Sequence, residues 1–263
     1  MELITSLQNP RVKNVIRLEK ASERRQQNLV VVEGLRELTL AAQAGFRIGS
    51  LFICREKVRN RTELATLEGQ ADQVYEVSAP VFEKMAYRDN TDGLVALTVP
   101  RRLALSDVRL SAQPLLIVLE AVEKPGNLGA VLRTADAARV DAVIVCDPQT
   151  DLFNPNVIRS SVGCLFTNQV AVATTPEVQR WLGERGIRSC AAALTARHFY
   201  HQTDFTVPTA LVLGTEATGL SDAWLSGADQ QIKVPMQGRI DSLNVSATTA
   251  ILVYEARRQR NFE

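Results

Sequence analysis

Apolar positions along this chain fall into short runs separated by helical stripes, and the series starts over once. Residues 5 to 28 are polar and basic, with apolar positions at Val12, Val15, Ile16 and Leu18, and predict an opening helix or helix pair. Leu29 to Val32 predicts a strand, Leu35 to Ala44 a helix, Ile48 to Cys54 a strand and Arg61 to Leu67 a helix. Gln73 to Val77 reads as extended, Val81 to Tyr87 as a helix led by Pro80, and Leu94 to Val99 as a closing strand. Together they predict a small α/β unit over residues 1–100.

The polar, proline-flanked stretch from Pro100 to Pro114 reads as a linker over residues 101–113, or else as a long surface loop. Leu115 to Leu119 then forms a continuous apolar run, the pattern of a strand buried on both faces of a parallel sheet. Helices are predicted at Leu128 to Ala138, Pro155 to Val162 and Pro176 to Arg185. Strands are predicted at Ala142 to Cys146, Val170 to Ala173, Arg188 to Leu194, Ala210 to Leu213 and Gln231 to Val234. The last element is helical, with Leu243, Ala247, Ala250, Ile251 and Tyr254 on one face. Repeated βα units predict a mainly parallel, doubly wound sheet over residues 114–263.

Composition narrows the classes. With 46% hydrophobic and 22% charged residues the chain is ordinary globular protein, not a disordered one. Thirty basic residues against twenty-nine acidic ones exclude a massively basic coat but leave room for local patches. One such patch is Arg11, Lys13, Arg17, Lys20, Arg24 and Arg25, which reads either as a solvated helical face or as a face that contacts RNA. No run nears the ~18 to 20 apolar residues of a membrane span, and Met1 to Ser6 lacks the features of a signal peptide. Four separated cysteines without a CxxC pair argue against a disulfide framework or zinc site, and a cytoplasmic protein is expected. His198 and His201 read as loop residues, so no metal is expected.

Three segments of the second half carry candidate chemistry. In the first, the strand ending at Glu120 runs into Lys124-Pro125-Gly126-Asn127 and a helix bearing Arg133, at the carboxyl edge where open α/β sheets bind ligands. Asn127 is a candidate N-cap there. The second, Leu213-Gly214-Thr215-Glu216-Ala217-Thr218-Gly219-Leu220-Ser221, places two glycines where backbone can approach a ligand closely, or is a plain strand–turn–helix connection with Ser221 as cap. The third, Val234-Pro235-Met236 through Ser242-Leu243-Asn244-Val245-Ser246, clusters three polar side chains at a helix start that needs one cap. None of these is a GxGxxG or Walker A loop, which disfavours a nicotinamide-binding oxidoreductase.

In this order and spacing the three segments closely resemble the motifs of the SpoU/TrmH branch of the SPOUT RNA methyltransferases, over about residues 114 to 260. The front half, through Ile4-Thr5-Ser6-Leu7-Gln8-Asn9-Pro10 and Val32-Glu33-Gly34, resembles the small ribosomal-protein-like RNA-binding domain of many members. The resemblance implies an α/β protein with that RNA-binding domain in front and a parallel-sheet methyltransferase domain closed by a trefoil knot behind. It implies transfer of a methyl group from S-adenosyl-L-methionine to a ribose 2′-hydroxyl, in ribosomal RNA by preference, with transfer RNA or a non-catalytic RNA-binding module as alternatives. It makes Arg133, Asn127, Glu216, Ser242 and Asn244 catalytic, with Asn127 holding Arg133. It makes Leu213, Gly214, Gly219, Val234, Met236 and Leu243 the cofactor site, and Arg11, Lys13, Arg24, Arg25 and Arg133 contacts to RNA. It further implies a homodimer through the C-terminal domain, with Leu243 to Tyr254 as the dimer helix. A guanidinium ordinarily stays protonated. Arg133 is therefore expected to clamp a phosphate and stabilise alkoxide charge rather than to remove a proton.

Overall fold

The computed structural model of the protein describes residues 2–87, 92–215 and 217–263. In chain order the elements begin with β1 (Glu2–Ile4), α1 (Pro10–Arg17), α2 (Ala21–Gln27), β2 (Val30–Glu33), α3 (Leu35–Gln43) and β3 (Ile48–Ile53). Next come α4 (Arg61–Gln70), β4 (Ala71–Val77), α5 (Ala79–Met85), β5 (Leu94–Thr98), β6 (Leu115–Glu120), α6 (Pro125–Ala137) and β7 (Ala142–Cys146). Then follow α7 (Pro155–Ser160), α8 (Cys164–Thr167), β8 (Val170–Ala173), α9 (Thr175–Glu184), β9 (Arg188–Ala192) and β10 (His198–Phe199). The chain ends with β11 (Thr209–Leu213), α10 (Asp222–Gly227), β12 (Gln230–Lys233) and α11 (Val245–Gln259). Two compact units divide it: residues through Arg101 with Asp151–Thr167, and Arg102–Thr150 with Asn168–Glu263.

Over the described residues, the first unit holds a five-stranded mixed sheet in the order β1-β4-β3-β5-β2. Helix α1 is set by Asn9, whose side chain accepts the Arg11 N–H at 2.9 Å, and by Pro10 in its first turn. Its stripe of Val12 and Val15 joins Leu18, Phe52, Tyr75 and Phe82 in the core. Strand β1, which the pattern reading left out, pairs with β4. Helix α7, which the sequence reading assigned to the second half, and α8, which it did not predict, belong to this unit and lie against β2 and α3.

The second unit is a seven-stranded sheet, parallel throughout, in the order β10-β12-β9-β11-β6-β7-β8. Every residue of β6, β7 and β11 is buried, which is why these strands read as unbroken apolar runs. Leu116, Val118, Ile144 and Val212 pack with Val178, Trp181 and Leu182 of α9 and Trp224 of α10. Helices α6 and α11 pack on each other, and α11 also lies against β11. The stretch read as a linker is part of this unit. Leu105, Val108 and Leu110 pack against its core, and the Arg109 and Ser111 N–H groups donate to Gln169 and Asp141.

Helix α11 corrects an expectation. The face with Ala247, Ala250, Ile251 and Tyr254 is not its core face; Thr249, Leu252, Val253 and Ala256 are the buried residues. Apolar residues stand on both sides of this helix, so periodicity alone had no means of choosing between them.

Candidate active site

From β6 the chain steps to β7 on one side, while β11 pairs on the other. The carboxyl ends of β6 and β11 therefore flank a topological switch point, where open α/β sheets form ligand crevices. Leu213 pairs with Leu119, which brings Gly214 and Glu120 to the same edge.

A cavity of about 430 Å³ opens there, within the size range of small-molecule sites. Leu213, Gly214, Gly219, Val234, Met236 and Leu243, the six residues expected to hold a cofactor, all line it. Ser242 and Asp241 line it as well. Thr195 and Thr248 add polar lining that the motifs did not indicate.

The loop after β11 is unusually tight. Thr215 and Gly219 exchange two backbone hydrogen bonds of 3.1 Å, and the Thr215 hydroxyl meets that of Thr218 at 2.8 Å. A Cβ on Gly214 would lie 2.2 Å from the carbonyl carbon and oxygen of Gly219, so only glycine fits. Gly219 itself turns at φ +71°, in the region that favours glycine. Glu216, expected to be catalytic, lies outside the described residues.

Asn127 and Asn244 meet across the site: the Asn244 Nδ2 donates to Asn127 Oδ1 at 3.1 Å. Asn244 is the N-cap of α11, and its Oδ1 accepts from the Ser246 N–H and hydroxyl at 2.9 and 2.6 Å. Asn127 lines a smaller recess of about 60 Å³ that shares Gly214, Thr215 and Val245 with the large cavity. It is not the N-cap of α6, because that helix starts two residues earlier, at Pro125. Nor does it hold Arg133. The two lie six residues apart, about 120° around the helix and about 9 Å along it. Arg133 is exposed, and its side chain makes no hydrogen bond or ion pair to a described residue.

Sequence reasoning missed Glu120. It is buried at the end of β6, and its carboxylate accepts the Ser221 N–H at 2.8 Å, the Ser221 hydroxyl at 2.6 Å and the Thr175 hydroxyl at 3.2 Å. Ser221 precedes α10, but its side chain makes no capping bond. The signal was present: a carboxylate ends an apolar run at the ligand-binding edge of the sheet. Nearby, burial pushes the Cys146 thiol up to about 12, with the Asp147 and Glu120 charges adding to the effect. Such a thiol is protonated at neutral pH and is no nucleophile.

The proposed RNA contacts separate. Arg11, Lys13 and Arg25 are exposed, with the Arg11 guanidinium 4.7 Å from the centre of the Tyr75 ring. Arg24 is a correction. It is 4% exposed, and its guanidinium donates to Asp151 Oδ2 at 2.9 and 2.7 Å and to the Leu18 and Glu19 carbonyls. The basic C-terminus is likewise engaged within its own unit. Arg257 donates to the Ala138 and Arg139 carbonyls at the end of α6, Arg258 pairs with Glu255, and Arg260 donates to the carbonyls of Gln113, Phe205 and Val207.

Comparison with known proteins gives this geometry a family. The model of the SpoU rRNA methylase family matches residues 114–254, and that of the MRM3-like substrate binding domain matches residues 9–96. A Synechocystis protein, an uncharacterized tRNA/rRNA methyltransferase, is 34% identical over 98% of this chain and 94% of its own. The 23S rRNA (guanosine(2553)-2′-O)-methyltransferase RlmP of Bacillus subtilis is 29% identical over 98% of this chain and all of its own. The AdoMet-bound crystal structure of an rRNA methyltransferase from Sinorhizobium meliloti is 30% identical and superposes with a TM-score of 0.90, covering 98% of this chain and 97% of that one. The motifs at Asn127, Gly214 and Asn244 thus stand in a fold shared along nearly the whole length of these proteins, and the chain belongs to the SpoU rRNA methylase family.

Proposed function

We propose that the protein methylates a ribose 2′-hydroxyl of ribosomal RNA, with S-adenosylmethionine as the methyl donor. The observation that carries this reading is the single cavity walled by both the Gly214–Gly219 loop and the segment from Val234 to Leu243. The residues present fit the cofactor. Leu213, Val234, Met236 and Leu243 offer apolar walls to a purine, the bare Gly214 lets the Gly219 backbone close in behind that wall, and Asp241 and Ser242 offer polar partners. Bound there, S-adenosylmethionine supplies an electrophilic methyl group on a sulfonium sulfur.

The chain's own task is to bring a weakly acidic hydroxyl to that methyl in line and to stabilise the charge that develops on its oxygen. Arg133, which is exposed, offers RNA a planar fork of donors and acts as a phosphate clamp and counter-charge. Asn127 and Asn244, bonded to each other, tie the start of α6 to the start of α11 and so fix the geometry between the Arg133 helix and the cofactor loops. Glu216 and Ser242 complete the proposed set. The first unit, with Arg11, Lys13 and Arg25 outward, is the proposed RNA-binding part. A knotted chain path in the second unit, a cytoplasmic setting and a homodimer belong to the same reading. The outward stripe of Ala247, Ala250, Ile251 and Tyr254 on α11 supports the dimer.

The test is transfer of labelled methyl to ribosomal and transfer RNA, with nucleosides separated after digestion and Arg133→Ala as control. Ribose label in ribosomal RNA that disappears in the variant is expected. Label in a base, or label that survives Arg133→Ala, overturns the reading.

A further inference from the structure

The Glu120 carboxylate stands at the β6 edge and reaches Ser221 at the far end of the cofactor loop. It is 7% exposed. Taking a carboxylate out of water is unfavourable unless donors surround it, and here Ser221 and Thr175 donate to it. The two oxygens divide the work: Oε2 takes the Ser221 N–H, while Oε1 takes the Ser221 and Thr175 hydroxyls. A hydrogen bond to a charged acceptor is roughly twice as strong as a neutral one, so Ser221 is held at two points by a charged group.

Ser221, one residue before α10, ends the loop. Two residues before it lies Gly219, whose carbonyl closes over Gly214 so tightly that no Cβ fits between them. Leu220 is buried between these two residues. Fixing Ser221 therefore fixes where the Gly219 carbonyl stands, and with it one wall of the 430 Å³ cavity. Glu120 also lines the smaller recess together with Asn127. The single proton of the Thr175 hydroxyl is shared between Glu120 Oε1 at 3.2 Å and Asp147 Oδ2 at 2.9 Å, and the Thr175 N–H donates to Asp147 Oδ2 at 3.1 Å, which carries the anchor on to the start of α9.

We infer that Glu120 is a positioning residue for the cofactor: its buried carboxylate clamps Ser221 and thereby sets the shape of the Gly214–Gly219 wall. It touches the loop and not the reacting atoms. This inference rests on the proposed cofactor site, and its test separates the two.

Glu120→Gln keeps size and shape but removes the charge that makes both bonds to Ser221 strong, and replaces one acceptor with an NH₂ group. Ser221→Ala removes only the hydroxyl, and Ser221→Thr restores it. Amide hydrogen exchange of the ligand-free protein is measured first. At least tenfold faster exchange is expected at Gly219 and Ser221 in Glu120→Gln and Ser221→Ala, with β6 and β7 unchanged and wild-type protection in Ser221→Thr. Calorimetry with S-adenosylhomocysteine comes second. At least tenfold weaker binding is expected in the first two variants and less than threefold in the third. In turnover, KM for the cofactor rises while KM for RNA holds.

Unchanged exchange at Gly219 and Ser221 overturns the inference. So does wild-type cofactor affinity in a loosened loop, or exchange that quickens equally across the whole sheet. If the wild-type protein fails to bind S-adenosylhomocysteine while the loop loosens as expected, the cofactor reading fails and takes the inference's functional half with it. The clamp itself then stands on the exchange data.

Discussion

A methyl group on Gly214 would sit 2.2 Å from the backbone of Gly219, and a contact that close forces the loop apart. Gly214→Ala is expected to weaken S-adenosylhomocysteine binding by more than tenfold, about 1.4 kcal/mol, in a protein that still folds cooperatively, as read by calorimetry and thermal melting. Arg24 and Arg25 give a sharper contrast, since adjacent identical side chains have opposite fates. Arg24→Ala strips Asp151 and two carbonyls of their buried partner and is expected to lower stability by about 3 kcal/mol in urea melts. Arg25→Ala is expected to leave the melt unchanged while weakening RNA binding. The sequence showed six basic residues before Leu29 but not which one turns inward. That choice depends on Asp151, 127 residues away in the chain, and no local pattern reports it.

At the scale of elements, α11 joins its cap to the site. Asn244→Asp keeps an acceptor for the Ser246 N–H but removes the donor to Asn127. Turnover is expected to fall at least tenfold with the melting temperature nearly unchanged. Asn244→Ala is expected to lose turnover and in addition about 1 kcal/mol of stability. Near the other end of this helix, hydrogen bonds from Arg258 hold the Glu255 carboxyl below its ordinary value of 4.5, and Gln259 adds to the effect. A lowered carboxyl contributes stability above the unfolded value and loses it as pH falls through the folded one. Glu255→Gln is thus expected to melt below the wild type at pH 7, with the gap closing as the pH drops below 4.5. Strands buried on both faces were legible in the sequence as unbroken apolar runs, as at β6 and β7, and so was a helix with one apolar face, as at α1. The core face of α11 was not, because both its sides carry apolar residues. Neither were β1 and β10, which at three and two residues are too short to show a period. The candidate cofactor wall was legible because a loop that closes this tightly on its own backbone needs glycine, and glycine shows in a sequence. The Glu120 clamp was not, because its partners Ser221 and Thr175 come from remote loops.

For the molecule as a whole, net charge of +1 means that RNA affinity has to come from local clusters of exposed cations rather than from an overall positive field. Binding is expected to weaken with salt, and Lys13→Ala to lower the slope of log affinity against log salt by about one; affinity flat across the titration counts against the first unit as the RNA-binding part. The partition of the chain carries a further consequence. Because residues 151–167 complete the first unit, the polypeptide passes between units three times rather than once. A fragment ending at Arg101 lacks α7 and α8 over β2 and α3, and is expected to melt at a lower temperature than the unit does in the intact chain. During synthesis the usual order, in which an N-terminal domain finishes folding before the next one emerges, is not open to this protein. Its leading domain stays incomplete until Thr167 has left the ribosome, by which time β6, α6 and β7 of its neighbour have already been made. Exchange of substrate domains between relatives through a single crossover would therefore deliver an unfinished part. A working chimera has to carry both pieces, and that ties the evolution of what the protein recognises to the sequence of the half that performs the chemistry.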